Sequence, residues 1–299
     1  MRELRVVYNP KARRGRFIYQ VDSLVKSAQA RGFRVSLYRV TGQDDGHQQM
    51  LQGLGDCSIL VACGGDGTLQ LAANALVKHD LDIPLGLLPY GTSNDFADSM
   101  GLTTDPDSLM KFIDTENIGP VDLGRIGDQC FVNVFSAGQI TKVSHEVERA
   151  FKDHLGMLAY YLHSVGHLPR IAPFNLELRG DIEESLPCLL FLALNSTSAG
   201  GFKNLAPKAH INDGMVDIIA VRECSFSEMA GVFWGVLRGE HFNHPAVLYC
   251  KANSVEVRGP EQVATDIDGE RGPSLPVRID VLPGRLQMLG AKSIPSGWS

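Results

Sequence analysis

Hydrophobic residues in the first third of the chain form short apolar runs, and the segments between those runs carry apolar residues at helical spacing. The runs predict buried strands over residues 4–8, 33–37, 58–63 and 84–89. The spacing between the runs predicts helices over residues 17–28, 44–54 and 69–78. Strands that alternate with helices favour a parallel sheet with helices on both faces.

The pattern changes from Val121, where short apolar runs follow one another with few helical segments between them. Such a succession predicts a β-rich domain. Its strands are expected over 121–126, 130–135, 173–178, 188–194, 216–221, 247–250, 254–257 and 277–282, and its helices over 141–152, 154–168 and 226–238. The fold class is therefore α/β plus all-β, with an α/β domain over 1–120, a linker near 115–121, a β-rich domain over 121–284, and a tail from about 285–299 that can pack back on the first domain.

Three polar loops follow predicted strands of the first domain, over residues 9–16, 64–68 and 89–95. In a parallel sheet, ligands bind beyond the carboxyl ends of the strands. We therefore expect these loops to converge on one site.

The loop Gly64-Gly65-Asp66-Gly67-Thr68 lies where a predicted strand passes into a predicted helix. Glycines let a ligand approach the backbone closely, and the N–H groups at the start of a helix attract anions such as phosphate. A carboxylate beside phosphates needs a cation between them, so Asp66 together with Mg²⁺ suggests a nucleotide site. The alternative is a tight turn in which Asp66 caps a helix.

The other two loops offer further polar groups. Lys11 and Arg13 belong to a basic loop that is either a solvated surface or a phosphate contact, and the chain has no Walker lysine motif. In the third loop, Thr92 and Asn94 can form a second wall of the nucleotide site. The alternative is that Thr92 or Ser93 only caps the helix that follows.

Two acidic clusters lie in the second part of the chain. Asn212-Asp213-Gly214 is either a hairpin turn or a hard-cation site built from Asp213 and neighbouring carbonyl groups. Asp266, Asp268 and Glu270 fall within five residues, on a predicted strand end and turn. Neighbouring carboxylates can raise the pKa of one of them toward that of a general base, or hold Mg²⁺ together, or form only a solvated turn.

Composition limits the classes of function. The 299 residues are 44% hydrophobic and carry a net charge of −6, which disfavours a general nucleic-acid-binding role. None of the six cysteines belongs to a C-x-x-C motif, which indicates reduced thiols in a cytosol. The apolar runs are too short to span a bilayer, and the N-terminal stretch lacks the apolar core of a signal peptide. We expect a cytoplasmic protein, for which contact with a membrane surface stays open.

Six motifs, taken in order, resemble those of the diacylglycerol kinase catalytic-domain family, and in particular its bacterial soluble lipid kinases. They are Asn9-Pro10, Gly64-Gly65-Asp66-Gly67-Thr68, Gly91-Thr92-Ser93-Asn94-Asp95-Phe96, Phe131 to Gly138, Asn212-Asp213-Gly214 and Asp268-Gly269-Glu270. Together they cover nearly the whole chain. The glycine turn alone is similar to turns of NAD kinases and phosphofructokinases, whereas the six motifs in this order are specific.

This resemblance implies a phosphofructokinase-like α/β domain with a parallel sheet, a C-terminal β-sandwich-like domain, and ATP in the cleft between them. It assigns the nucleotide contacts to Asn9, Pro10, Gly65, Asp66, Gly67, Thr68, Thr41 and Thr92, and the neighbouring Gly64, Gly91, Asn94, Lys11 and Arg13 complete the predicted site. It also implies a structural Mg²⁺ at the Asp213 carboxylate and the backbone oxygens of His210 and Met215.

The chain departs from the family pattern at two places. Lys11-Ala12-Arg13 replaces the Gly/Ser loop that usually follows Asn-Pro, and Leu69-Gln70-Leu71 replaces a segment that commonly carries Asn-Glu. The missing glutamate removes a polar group near the nucleotide.

We predict an ATP- and Mg²⁺-dependent lipid kinase that phosphorylates a hydroxyl group of a diacylglycerol-like membrane lipid. Glu270, with Asp268, would take the proton, while Mg²⁺ near Asp66 and the loop amides would stabilise charge on the phosphoryl group. The lipid partner requires transient membrane contact, so the protein is expected to be peripheral to the membrane, and a homodimer stays open. The helix over 226–237 either packs in the core or lies at the membrane. The alternatives are an NAD kinase and a non-catalytic nucleotide-binding regulator.

Overall fold

The computed structural model of the chain describes residues 2–10, 12–40, 53–138 and 172–293. Lys11 and Thr41 of the predicted nucleotide site lie outside these residues. The predicted helices over 141–152 and 154–168, and most of the one over 44–54, also lie outside them. Within the described residues, no helix is long and apolar enough to cross a membrane.

The first part of the chain forms parallel strands covered by helices, as its pattern predicts. The strands are β1 (Arg2–Tyr8), β2 (Phe33–Arg39), β3 (Ile59–Gly64) and β4 (Leu85–Pro89), and they pair in parallel in the order β2-β1-β3-β4. The helices are α1 (Val21–Ala30), α2 (Asp66–Lys78), α3 (Asp95–Ser99) and α4 (Pro106–Asp114), and a 3₁₀ helix (Ala12–Gln20) precedes α1. Every residue of β3 and β4 is buried, which is typical of strands covered on both faces.

The second part is rich in antiparallel strands. They are β5 (Ile118–Ile126), β6 (Gln129–Phe131), β7 (Val134–Ala137), β8 (Phe174–Gly180), β9 (Glu184–Leu194), β10 (Val216–Arg222), β11 (Val247–Ala252), β12 (Ser254–Arg258), β13 (Thr265–Ile267), β14 (Glu270–Arg271) and β15 (Val277–Leu289). One further helix, α5 (Phe226–Arg238), begins with a capping box between Ser225 and Glu228. The predicted fold class, an α/β part followed by a β-sandwich-like part, is confirmed.

Strand β15 connects the two parts of the structure. It pairs antiparallel with β12 and β5, and near its end Met288 pairs with Leu85 of β4 in parallel. Its buried residues Leu286 and Met288 belong to the core beneath α2, beside Leu69 and Leu76. Since β5 already begins at Ile118, the predicted linker over 115–121 runs into a paired strand. The division of the chain at residue 120 stays a prediction.

The segment Asn212-Asp213-Gly214 is a turn but does not close a tight hairpin. Strand β10 begins just after it, at Val216, and pairs antiparallel with β9, which ends much earlier at Leu194. The long connection between the two strands leaves this turn to make its own contacts with other parts of the sheet.

Candidate active site

The glycine turn links β3 to α2 by backbone geometry that only small residues allow. A Cβ atom at Gly64 would lie 2.1 Å from Oγ1 of the buried Thr68. Gly65 is the N-cap residue of α2, and as a glycine it has no side chain that could cap the helix. The backbone N–H groups of its first turn can therefore donate hydrogen bonds to an anion.

The loops after β3 and β4 are in direct backbone contact. A Cβ atom added at Gly91 would lie 2.2 Å from the Cα atom of Gly65, and the N–H group of Tyr90 donates to the carbonyl of Gly64 at 2.8 Å. On the other side of β3, the N–H group of Asn9 donates to the carbonyl of Cys63 at 3.1 Å. The structure thus places Asn9, the glycine turn and Gly91 side by side, at the carboxyl ends of three neighbouring strands.

Asp66 caps helix α3 rather than its own helix. Its carboxylate accepts hydrogen bonds from the backbone N–H groups of Asp95 and Phe96, each at 3.3 Å. The N-cap residue of α3 is Asn94, in the left-handed region at φ 55°, so the alternative in which Thr92 or Ser93 is the cap of this helix is wrong. The backbone N–H groups that those side chains were expected to bind are already bonded to Asp66.

Asn94 instead closes the loop on Gly91. Its Oδ1 atom accepts from the Gly91 N–H group at 2.7 Å, and its Nδ2 group donates to the Gly91 carbonyl at 3.1 Å. Asn94 is buried, while Thr92 is exposed at the tip of the loop. Of these two predicted residues, Thr92 is therefore the one whose side chain can reach a ligand from solvent.

Asp95 is a buried carboxylate that the sequence analysis did not select. It accepts from the N–H group of Gly201 at 3.1 Å and so joins α3 to the second part of the chain. Burial raises its pKa to about 7, and the nearby charge of Asp66 adds to the rise. Burial also raises the pKa of Asp66, against the lowering effect of its hydrogen bonds from backbone N–H groups. Asp95 lies inside the motif Gly91 to Phe96, and that position was the signal in the sequence that could have identified it.

Asp268 lies at the first position of a two-residue hairpin turn between β13 and β14. Asp268 and Gly269 both have positive φ, 50° and 93°, as the favoured hairpin turn requires. The Asp268 carboxylate is buried and accepts from three consecutive backbone N–H groups, those of Val132 at 2.7 Å, Asn133 at 3.0 Å and Val134 at 2.8 Å. Burial raises its pKa to about 7 although those three bonds oppose the rise, and the charge of Asp66 contributes.

Glu270 has a different environment from Asp268. It is exposed on β14, where it pairs with Ile267 across the hairpin, whereas the Asp268 carboxylate is enclosed by backbone groups. The sequence analysis offered both carboxylates for the role of proton acceptor, and the structure shows that they differ in burial. Of the two side chains, that of Glu270 is exposed to solvent and that of Asp268 is not.

Helix α2 is attached to the acidic hairpin. The side chain of Gln70 donates to the carbonyl of Ile267 at 3.3 Å. One turn further along, Asn74 makes two bonds with the backbone of Cys130, at 2.9 Å and 2.8 Å. The residue that departs from the family pattern therefore contacts the acidic hairpin directly, and the glycine turn and the acidic hairpin lie at the same end of α2.

The predicted metal residues at the NDG turn lie elsewhere in the second part. The Asp213 carboxylate accepts from the Met215 N–H group at 3.1 Å and from Nζ of Lys251 at 2.6 Å. His210 precedes this turn and is half-buried. Nearby, buried Asp122 holds the turn through the Gly214 N–H group at 2.6 Å. Asp122 was missed, although a charged residue inside the apolar run from Val121 was a usable signal.

The described part of the basic loop is its backbone. Ala12 donates its N–H group to the carbonyl of Asn9 at 3.1 Å, and Pro10 lies in the turn between them. Arg13 falls in the 3₁₀ helix, but its side chain lies outside what the structure describes. The phosphate contacts predicted for Lys11 and Arg13 stay predictions.

The donor set around Asp66 fits Mg²⁺ that is bound together with a nucleotide. Among the described residues, no three His, Cys, Asp or Glu side chains form a group that could hold a metal ion. Mg²⁺ at nucleotide sites commonly uses one or two carboxylates, with the remaining positions filled by phosphate oxygens and water. In the described ranges no Lys or Arg forms an ion pair with Asp66, Asp95 or Asp268, so the site retains negative charge that a cation can balance.

Comparison with known proteins matches two family models to successive parts of the chain. Residues 3–126 match the family model of the diacylglycerol kinase catalytic domain, and residues 133–290 match that of the YegS C-terminal NAD kinase beta sandwich-like domain. A diacylglycerol kinase from Bacillus subtilis (strain 168) is 33% identical over 282 residues, 92% of each chain. One from Staphylococcus carnosus (strain TM300) is 31% identical over 297 residues, 97% of this chain and 95% of the relative.

The fold is also shared with solved structures. Two solved structures from Bacillus anthracis str. Sterne, described as a diacylglycerol kinase and a putative diacylglycerol kinase, superpose with TM-scores of 0.70 and 0.76 respectively. Each covers 96% of both chains, at 20% and 22% sequence identity respectively. At this identity the likeness supports the fold.

Proposed function

Because this chain belongs to the diacylglycerol kinase family, we propose that it transfers the γ-phosphoryl group of ATP to a hydroxyl group of a diacylglycerol-like membrane lipid. Membership makes the chain a lipid kinase, and it argues against the alternative of a non-catalytic regulator. The nucleotide, the metal ion and the lipid acceptor are our proposals.

One observation carries the proposal: the glycine turn and the acidic hairpin come from opposite ends of the sequence and meet beside the start of α2. Gln70 of α2 bonds to Ile267 at 3.3 Å, and the charge of Asp66 contributes to the raised pKa of the buried Asp268 carboxylate. A phosphate at the start of α2 would therefore lie close to the carboxylates of the hairpin. That is the arrangement a phosphoryl transfer between two bound substrates needs.

The phosphates of ATP would lie against the first turn of α2. The N–H groups of Gly67 and its neighbours lie at the positive end of the helix dipole, and the absence of a side-chain cap leaves room there for an anion. Asn9 and the loop from Gly91 to Asn94 would form the sides of this site. When bound with ATP at Asp66, Mg²⁺ would offset the negative charge that develops on the transferred phosphoryl group.

We assign the proton transfer to Glu270 and a positioning role to Asp268. Three N–H groups hold the Asp268 carboxylate, so it fixes the hairpin to the segment Val132–Val134. Glu270 follows two residues later and is exposed, where a lipid hydroxyl can approach it. Phosphoryl transfer depends chiefly on positioning and electrostatics, so a rigid hairpin contributes to the rate even where its buried carboxylate touches no substrate.

Transient contact with the membrane is part of the proposal because the lipid must reach the site. Helix α5 buries Val232 and packs Phe233 against Phe202, while Trp234 and Leu237 are exposed. The helix over 226–237 therefore contributes both to the core and to the surface. An exposed tryptophan and leucine on one helix suit the interfacial region of a bilayer.

The test is a kinase assay with γ-labelled ATP and lipid extracts in detergent micelles, with NAD in buffer as the contrasting acceptor. We expect label in a lipid that carries a free hydroxyl group, with no label in NAD. The opposite result would favour the NAD kinase alternative, which the name of the second matching domain keeps open. Label in neither acceptor would count against both functions.

A further inference from the structure

The Asp213 carboxylate is bonded through both of its oxygen atoms. Oδ1 accepts from the Met215 N–H group at 3.1 Å, and Oδ2 accepts from Nζ of Lys251 at 2.6 Å. The side chain of Asp213 is 21% exposed and that of Lys251 is 26% exposed, so this ion pair is largely withdrawn from water. Partial burial makes such a pair stronger than one at the open surface.

The register of the sheet fixes the position of Lys251. Strands β10 and β11 pair antiparallel with Asp217 directly opposite Lys251. The Asp217 side chain is completely buried, and its Oδ2 atom lies 3.5 Å from Nζ of Lys251. The Tyr249 hydroxyl donates to the other oxygen, Oδ1. One ammonium group therefore lies between two carboxylates, one on the turn and one inside the sheet.

The turn that carries Asp213 joins several strands. The Gly214 N–H group donates to Oδ2 of Asp122 on β5, and the Gly284 N–H group of β15 donates to Oδ1 of the same carboxylate, both at 2.6 Å. Asn253 donates to the Gly214 carbonyl at 2.9 Å. A charge that holds this turn consequently helps to hold three strands together.

The family resemblance places a structural Mg²⁺ at Asp213, and the donor set does not fit that ion. Mg²⁺ requires about six oxygen ligands at short distances. Here an ammonium group already lies against one oxygen of the carboxylate, and a second cation beside it would be repelled.

We propose that the Lys251 ammonium group supplies at the NDG turn the positive charge that the family pattern assigns to Mg²⁺. The turn is then held by a cation that belongs to the chain itself. Its stability does not depend on divalent metal ions, whereas the nucleotide site at Asp66 still uses them. This inference stands apart from the proposed lipid kinase activity, because it concerns a different part of the fold and is tested without substrates.

The first experiment counts metal sites. Mn²⁺ binding to the wild-type protein and to Asp213→Asn is measured by electron paramagnetic resonance in nucleotide-free buffer. Any sites elsewhere on the protein are common to both. We expect equal numbers of bound ions. A loss of one Mn²⁺ in the Asp213→Asn protein would overturn the proposal, because Asp213 would then be a metal ligand in the presence of Lys251.

The second experiment measures thermal unfolding in a chelating buffer. Lys251→Met leaves the buried Asp217 without its cation, so its unfolding midpoint should fall by about 4 °C or more. Lys251→Arg keeps the charge and should recover most of the loss. The matched control is Lys203→Met, which removes an exposed pair with Asp98 at 3.0 Å and should shift the midpoint much less.

Two outcomes of the unfolding experiment would overturn the proposal. One is a Lys251→Met protein as stable as the wild type, and the other is a wild-type midpoint that drops on chelation and recovers with Mg²⁺ only when Asp213 is intact. If Lys251→Met does not fold, the Mn²⁺ count and the effect of chelation on the wild-type protein decide the question by themselves.

Discussion

The Cα atom of Gly65 lies so close to Gly91 that a Cβ atom built on Gly91 would be 2.2 Å from it. These glycines follow two neighbouring parallel strands, and their contact brings the two loops of the proposed nucleotide site together without any side chain between them. The close contact also explains why Asn94 can hold the Gly91 backbone while Asp66 reaches across to cap α3. The glycines therefore determine both the shape of the site and the start of the following helix.

Replacing Gly91 by alanine should destabilise the protein by about 1–3 kcal/mol, the usual cost of overpacking a buried position. The added methyl group would meet the backbone of Gly65, which cannot move without displacing β3 or α2. Urea unfolding measures the change. Gly67→Ala is the matched control, because a Cβ atom there meets nothing within 4 Å. Equal stability of the Gly91→Ala and Gly67→Ala proteins would show that the two loops are not in contact.

Gly67→Ala should nevertheless weaken ATP binding about tenfold or more, corresponding to a loss of at least 1.4 kcal/mol of binding free energy. The alanine methyl group would occupy open space at the first turn of α2, where we place the phosphates. Calorimetric titration with ATP and Mg²⁺ measures the effect. Gly55→Ala serves as control, because a Cβ atom there also meets nothing within 4 Å and Gly55 precedes β3, at the end of the strand opposite the glycine turn. Unchanged affinity in the Gly67→Ala protein would place the phosphates elsewhere.

Glu270→Gln should lower kcat by about 10²-fold or more while ATP affinity and the free energy of unfolding stay near the wild-type values. Glutamine keeps the size of the exposed side chain and removes its basicity. Glu261→Gln, at another exposed acidic position, should leave kcat unchanged. The measurement is a steady-state kinase assay with ATP binding followed separately.

Asp268→Asn should instead lower both kcat and stability, because the amide oxygen can replace only one carboxylate oxygen and the NH₂ group would face an N–H donor that the carboxylate now binds. Chemical denaturation beside the kinase assay separates the two effects. If Asp268→Asn loses turnover with full stability while Glu270→Gln keeps its turnover, the assignment of roles to the two residues is reversed.

The parts of the structure that the sequence predicted are the local ones. The strand over 58–63 and the helix after Thr68 follow from an apolar run and helical spacing. The three loops converge because parallel strands bring their carboxyl ends together. These inferences need no knowledge of contacts between distant residues.

The parts that the sequence did not predict depend on long-range partners. Asp66 was expected to bind a metal or cap its own helix, and its hydrogen bonds go to a helix that begins almost thirty residues later, at Asp95. Asp268 likewise accepts from the N–H groups of Val132–Val134, and Asp213 accepts from Lys251, so these bonds also join distant segments of the chain. Hydrophobic periodicity specifies which residues face the core, but it does not specify which polar side chain meets which backbone group.

Because the Asp66 carboxylate caps α3, a substitution of Asp66 should affect stability as well as activity. Asp66→Ala removes the acceptor for two N–H groups of α3, so we expect a loss of about 1 kcal/mol of stability in addition to the loss of kinase activity. Asp66→Asn retains one acceptor oxygen and should stay closer to wild-type stability while losing activity. Unfolding and kinase measurements on both variants test this. Full activity in the Asp66→Asn protein would remove Asp66 from the metal site.

The pH dependence of stability should reveal the buried carboxyl group of Asp95. Burial, helped by the charge of Asp66, raises its pKa from 3.8 in the unfolded chain to about 7 in the folded protein. Between these values the folded state keeps a proton that the unfolded state has released, so stability falls as pH rises. The part of the free energy of unfolding that depends on the protonated Asp95 carboxyl group is fully present below about pH 4 and is lost once the pH passes about 7.

An Asp95→Asn protein lacks this titration while its amide oxygen can still accept from Gly201. The wild type should therefore lose about 2–4 kcal/mol more of its free energy of unfolding than the variant between about pH 4 and pH 8, measured by urea unfolding in chelating, nucleotide-free buffer. Asp128→Asn, at an exposed position, should follow the wild-type curve. Parallel curves for the wild type and Asp95→Asn would mean that Asp95 is already ionised at low pH. The negative charge that we expect to attract a cation to this site would then be present across the whole pH range, and cation binding would show no step near neutral pH.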